Sequence, residues 1–224
     1  MPADGGMLYT ETDLNHLFPE PLNTLTSCFF LAIALYWTFI LWGKFRQHTF
    51  LSFCLMLLYT GGIGGTIYHG LRRWRMFIYM DWMPIMFLCL LAGIYFMLRL
   101  VKWYFAVAIV ALYVAFQFFA RSWFSGSDFQ LFININYAVM ASIVLLPVLC
   151  FLYKNSWQHG RWVGFALLAF CIALFFRVAD KWELLASGTH FLWHTFGAVA
   201  AFCMFRFIYL VNEKPQIRPS AADR

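Results

Sequence analysis

The sequence has 224 residues, of which 63% are hydrophobic and 21% aromatic, while only 12% are charged. Soluble globular domains are about half apolar and about one quarter charged, so this composition excludes an ordinary soluble domain. The formal net charge of +6 does not indicate nucleic-acid binding, because the basic residues cluster between apolar runs, where they set membrane orientation. We predict no nucleic-acid partner, and no protein partner can be inferred.

The apolar residues form seven long runs, at 23–43, 49–70, 76–98, 103–120, 133–153, 161–179 and 189–211. A helix needs about 20 apolar residues to cross the hydrocarbon core of a bilayer. The pattern therefore predicts an all-α integral membrane protein, a seven-transmembrane-helix bundle over residues 23–211. Residues 1–22 are predicted to form a polar N-terminal segment without the basic start of a signal peptide, and residues 212–224 a short disordered tail.

The distribution of basic residues predicts the orientation of this multi-pass protein. With the N-terminus outside, the inner loops and tail hold ten Lys and Arg residues and the outer segments hold six. Cytoplasmic loops carry an excess of these residues, so we predict a lumenal or periplasmic N-terminus and a cytoplasmic C-terminus. Arg72, Arg73 and Arg75 oppose this orientation.

Ionisable side chains are rare in or beside the predicted spans, where they are costly and mark functional sites. Odd-numbered spans start, and even-numbered spans end, at the same membrane face. The polar residues at these positions are therefore predicted to share one face whichever way the chain is inserted. In chain order they are Glu20, Asn23, His69, Asp81, Asp180, His190 and His194.

Three of these residues suggest a metal site. His190 and His194 are four residues apart, so their side chains lie on one helix face, and His69 can add a third imidazole from the second span. Three histidines leave a tetrahedral zinc with one open position, which is typical of a catalytic site. Asp81 could accept the proton of a zinc-bound water. We predict zinc bound by the three histidines, with Asp81 as the catalytic carboxylate.

The stretch "YTGGIGGTIYHG" at 59–70 contains five glycines. It lies within a predicted span and lacks the lysine of a phosphate-binding loop. We therefore expect these glycines to let the second span pack closely on a neighbouring helix.

Four short segments resemble the alkaline ceramidase family, in the superfamily that also holds the progestin and adipoQ receptors and the hemolysin III-like proteins. The segments are "EPLNT" at 20–24, "GGTIYHG" at 64–70, "MDWMPI" at 80–85 and "THFLWHTFGA" at 189–198. The resemblance covers the seven-span layout and implies zinc bound by His69, His190 and His194, with Asp81 serving the zinc-bound water. Asp180 also resembles a family aspartate, and Glu20, Asn23 and Asp180 are expected to support the site. The activity implied is hydrolysis of a sphingolipid amide.

The sequence departs from this family at two places. Where the family has a serine four residues before the histidine of the second helix, this chain has Gly65. Thr66 lies on nearly the same helix face, and we expect it to supply the catalytic hydroxyl. The N-terminal segment lacks the acidic calcium-binding motif of the ceramidases, which puts calcium dependence and ceramide as the substrate in doubt.

The leading hypothesis is a zinc-dependent intramembrane hydrolase of lipid metabolism, which cleaves the amide bond of a ceramide-like lipid with zinc-activated water as the nucleophile. The alternative is a non-enzymatic seven-helix receptor or structural protein with a stabilising zinc site, and the absence of a serine at Gly65 supports it. A third hypothesis is a b-type haem carrier. Two histidines on one helix turn beside a carboxylate suit zinc better than haem.

Overall fold

The computed structural model describes residues 2–123 and 129–213, and the regular structure in these ranges is helical. The helices are α1 Pro21–Ile40, α2 Thr49–Leu71, α3 Arg75–Leu100, α4 Trp103–Trp123, α5 Phe129–Lys154, α6 Gly160–Ala179 and α7 His190–Asn212, and a 3-10 turn at Asp180–Trp182 follows α6. The all-α prediction is confirmed for the described residues. The tail predicted at 212–224 lies almost entirely outside them.

Among the described residues, five helical segments are long and apolar enough to cross a membrane, namely Pro21–Ile40, Thr49–Leu71, Arg75–Leu100, Gly160–Trp182 and His190–Asn212. Within α4 and α5 the described apolar stretches are shorter, at Trp103–Phe116 and Ala141–Lys154. These are the helices of a multi-pass membrane protein. The count of seven spans and the orientation of the termini stay predictions.

The chain divides into two compact units. One comprises Met1–Pro84 and His159–Arg224, and the other comprises Ile85–Gln158. In the first unit α1 packs against α2 and α7, and α6 packs against α7. In the second unit α4 packs against α5, and Met97, Ala106 and Ile143 form a small apolar core. All the polar residues singled out in the sequence lie in the first unit.

Glycines allow the backbone of α2 to approach its neighbours in the first unit. A Cβ atom added at Gly64 would lie only 2.5 Å from the carbonyl carbon of Met80 in α3, and one at Gly62 would lie 2.6 Å from the side chain of Leu31 in α1. Contacts this short do not occur between real Cβ atoms and their neighbours. The prediction that these glycines permit close helix packing is therefore confirmed.

This packing predicts different effects for two neighbouring glycines. Gly64→Ala should destabilise the protein by about 1–3 kcal/mol because the methyl group collides with the backbone of α3. Gly61→Ala is the matched control, since its Cβ would lie at an ordinary 3.4 Å from Pro84. Thermal unfolding in detergent should show a Tm lower by about 2–4 °C per kcal/mol for Gly64→Ala. Equal Tm values for the two variants would contradict the close α2–α3 contact.

Candidate metal centre

Three buried histidines converge at one end of the first unit. His69 lies in the last turn of α2, His190 is the first residue of α7, and His194 lies one turn further along. One ring nitrogen from each lies within 4.8 Å of the others. The ring centroids are 4.8 Å apart for two of the pairs and 5.5 Å apart for His69 and His190. The structure thus brings the three predicted ligands together.

Each of these histidines has one buried ring nitrogen without a hydrogen-bond partner among the described residues. The atoms are Nε2 of His69, Nδ1 of His190 and Nε2 of His194. An unsatisfied buried polar atom costs roughly 1–3 kcal/mol, so three such atoms in one place need a common explanation. A metal ion would accept a lone pair from each neutral imidazole. Three imidazole donors suit zinc, and the residues present therefore fit this metal.

Glu20 orients His69. It directly precedes α1, its side chain is fully buried, and its Oε2 contacts Nδ1 of His69. An ionised carboxylate only accepts hydrogen bonds, so Nδ1 carries a proton, and in the neutral imidazole Nε2 keeps a free lone pair. Metal-binding histidines commonly donate their second ring N–H to a carboxylate in this way, which fixes the ring and raises its basicity. Asn23 supports the arrangement by donating from Nδ2 to Oε2 of Glu20 at 3.2 Å.

Arg72 provides the positive charge that balances this buried carboxylate. Its guanidinium pairs with Oε1 of Glu20 and donates from Nε to Oδ2 of Asp4 at 2.8 Å. Burial opposes ionisation of Glu20, but hydrogen bonds from His69 and Thr12 and the positive charge of Arg72 hold the pKa of Glu20 below its ordinary value. Arg72 is therefore a buried ion-pair partner and not a free loop charge, although the orientation prediction counted it as one.

Asp180 fixes the start of α7. Its Oδ1 accepts hydrogen bonds from the backbone N–H groups of Thr189 at 2.7 Å and His190 at 2.9 Å. A carboxylate at this position satisfies free N–H groups of the helix and interacts favourably with its dipole. Thr10 of the N-terminal segment donates to Oδ2 and to the carbonyl oxygen of Asp180. Asp180 is thus a positioning residue for His190.

Asp81 reaches the cluster from α3. Its Oδ2 lies 3.9 Å from the unpartnered Nε2 of His69. A Cβ atom added at Gly65 would lie 2.5 Å from Oδ1 of Asp81 and 3.1 Å from Oγ of Ser27 in α1. The lack of a side chain at Gly65 therefore makes room for the carboxylate. Oγ of Ser27 borders the same space, and the sequence analysis missed this residue.

The recorded contacts of the Thr66 hydroxyl are with groups outside the histidine cluster. Its hydroxyl donates to the carbonyl oxygen of Gly62 at 2.7 Å and lies 3.5 Å from Sγ of Cys28 in α1. No hydrogen bond recorded among the described residues links Thr66 to the histidines or to Asp81. Its catalytic role stays a prediction, and Ser27 is the hydroxyl that borders the space beside Gly65 into which Asp81 reaches.

The N-terminal segment covers the histidines. The ring of Tyr9 stacks on His190, with centroids 3.8 Å apart and an interplanar angle of 22°, and lies 5.5 Å from the ring of His69. Thr12 donates to Oε1 of Glu20 at 2.7 Å. Burial raises the pKa of the Tyr9 hydroxyl, which therefore stays protonated. Apart from Glu20, sequence reasoning assigned the residues of this segment no role, because their contacts with the helices follow no periodic pattern.

Comparison of the chain with protein-family models, curated proteins and solved structures finds no match. The resemblance to the ceramidases therefore rests on the quoted motifs alone. The function has to be argued from the chemistry of the histidine cluster.

The Glu20–His69 contact predicts a loss of metal affinity in Glu20→Gln. Replacing the carboxylate by an amide removes the charge that raises the basicity of His69, and changes at such hydrogen-bond partners typically lower metal affinity about 10–100-fold. Zinc affinity can be measured by titration against a competing chelator on monodisperse protein in detergent. Asp13→Asn is the control, because this exposed carboxylate belongs to the same segment but does not contact His69. Equal affinities in both variants would contradict the orienting role of Glu20.

Proposed function

We propose that this protein is a zinc-dependent intramembrane hydrolase that cleaves the amide bond of a membrane lipid. The observation that carries the proposal is the convergence of three buried histidines, each with one unpartnered ring nitrogen, and the carboxylate of Asp81 at 3.9 Å from Nε2 of His69. This combination provides a metal-binding donor set and an adjacent proton acceptor.

The number of converging ligands favours a catalytic over a structural metal site. Structural zinc sites are closed by four protein ligands, whereas catalytic sites keep one position for water or substrate. In the described part of the chain the converging ligand set consists of His69, His190 and His194. Asp81 lies near enough to serve a reactant at the remaining position.

Different groups at the site would carry out different steps of the hydrolysis. When bound, zinc would supply Lewis-acid polarisation of the scissile carbonyl and of a water molecule. Asp81 would accept a proton as water adds to the carbonyl carbon and would return it to the amine nitrogen as the C–N bond breaks, so that a carboxylic acid and an amine leave. Ser27 already donates its hydroxyl proton to the carbonyl of Asn23 at 2.8 Å. Its lone pairs stay free, and its Oγ borders the same space beside Gly65 as Oδ1 of Asp81.

The surroundings of the cluster support a lipid as the substrate. His194 lies within a helix long and apolar enough to cross a membrane. The N-terminal segment covers the histidines, because Tyr9 stacks directly on His190 and the backbone N–H of Thr10 donates to Asp180. A substrate whose acyl chain lies among apolar helices is therefore favoured over a small water-soluble amide.

The two alternatives predict different properties. A haem carrier needs space for a porphyrin between two imidazoles, whereas these ring centroids are only 4.8–5.5 Å apart. This spacing disfavours haem. A receptor or structural protein with a stabilising zinc site would bind metal without turning over lipid, and it assigns no task to Asp81.

The proposal predicts that Asp81→Asn retains zinc but loses hydrolysis. The amide cannot accept a proton from water, and positioned proton transfer typically contributes about 10²–10⁴-fold to the rate. The test measures the zinc content and the rate of fatty-acid release from N-acyl lipids for the same preparation. Glu183→Gln is the control, since it neutralises an exposed acid in the loop that precedes α7.

Wild-type rates in Asp81→Asn would overturn the mechanism. If neither the wild type nor the control variant released fatty acid, a structural zinc site would be the better interpretation.

A further inference from the structure

Arg177 lies beside the histidine cluster but takes no part in it. It belongs to the last turn of α6, and its side chain is exposed. Its guanidinium carbon lies 5.1 Å from the ring centroid of Trp193, which directly precedes His194 in α7. Arginine is attracted to the face of a tryptophan ring. The stacking holds this cation next to the site.

The charge of Arg177 has no counter-ion in the described part of the chain. Arg72, by contrast, pairs with both Asp4 and Glu20. Arg177 lies one helical turn before Asp180, whose Oδ1 accepts the backbone N–H of His190. An exposed guanidinium beside an apolar helix attracts anions, and its planar fork matches the oxygens of phosphate and carboxylate.

Other exposed cations at this end of the first unit provide a comparison for Arg177. Arg73 and Arg75, at the α2–α3 connection, are exposed, and so is Lys181 just after α6. Of the acidic groups near the histidines, Glu20 contacts Arg72 and Asp180 accepts backbone N–H groups, while Asp81 lies 3.9 Å from Nε2 of His69. Among the exposed cations named here, Arg177 is the one stacked on a residue next to a predicted metal ligand.

We propose that Arg177 and Trp193 form a subsite for a negatively charged group, phosphate or carboxylate, of the lipid whose amide bond is hydrolysed. This inference rests on the proposed function and narrows its substrate class. It assigns to the protein N-acyl lipids with an anionic head group and not neutral ceramide-like lipids. The negative charge of the substrate would lie on the amine side of the scissile amide bond or in the head group of the lipid. The acyl chain would stay among the apolar helices.

The test compares lipid amides that differ in charge. Full-length protein in a non-ionic detergent is assayed with N-oleoylglycine, with N-acyl phosphatidylethanolamine and with neutral N-oleoylethanolamine. A charge-assisted contact predicts that Arg177→Gln raises KM for the two anionic lipids at least about tenfold. The KM for the neutral lipid should stay unchanged, and Arg177→Lys should recover part of the loss. Arg73→Gln, which removes an exposed cation at the same end, is the control.

A binding measurement separates this proposal from the proposed hydrolysis. Equilibrium dialysis of N-oleoylglycine against Asp81→Asn and against the double variant Asp81→Asn, Arg177→Gln should show at least about tenfold weaker binding by the double variant. Binding that depends on Arg177 without any turnover by the wild type would sustain the subsite and overturn the hydrolase. Turnover with equal effects on charged and neutral lipids would overturn the subsite alone.

The same assays also identify the source of the anion. Displacement of N-oleoylglycine by inorganic phosphate at millimolar concentration would assign Arg177 to a soluble anion and overturn the lipid assignment. Equal losses in Arg177→Gln and Arg73→Gln would show a general surface charge effect and would overturn the subsite as well.

Discussion

Glu20 is the residue on which the arrangement of the site depends, because one buried carboxylate serves two partners. One of its oxygens contacts Nδ1 of His69, and the other contacts the guanidinium of Arg72. A buried charge is tolerated only when it is paired and hydrogen-bonded, and Arg72 meets that need while also binding Asp4. The loop before α1 and the end of α2 are thereby joined. The same contact leaves Nε2 of His69 free to bind a metal.

Other residues position the remaining groups of the site, His190 and Asp81, near Glu20 and His69. Asp180 fixes the start of α7 and hence the position of His190. Gly64 lets α3 approach α2 closely, and Gly65 leaves space for the carboxylate of Asp81 next to Ser27. The glycine that seemed a departure from the family resemblance thus has a steric reason in this chain, since a side chain there would displace Asp81.

The helices and the grouping of the three histidines were predictable from the sequence, but their surroundings were not. A membrane span requires a continuous apolar run, so the run at 49–70 matches α2 at Thr49–Leu71. The spacing of His190 and His194 placed both on one face. Tyr9 and Ser27 were missed because their contacts join separate segments of the chain. Thr66 was assigned by helix-face geometry, whereas hydroxyls inside helices often donate to the carbonyl four residues earlier, as Thr66 does to Gly62.

The metal content of the protein tests the central claim most directly. Wild type, His194→Ala and His48→Ala would be purified in detergent without chelators, and zinc per chain would be measured by mass spectrometry. His48 is a fair control, because it is also buried with an unpartnered ring nitrogen but lies outside the cluster. The account predicts about one zinc per chain in the wild type and in His48→Ala, and its loss in His194→Ala. Absence of zinc from the wild type, or equal zinc in all three proteins, would contradict it.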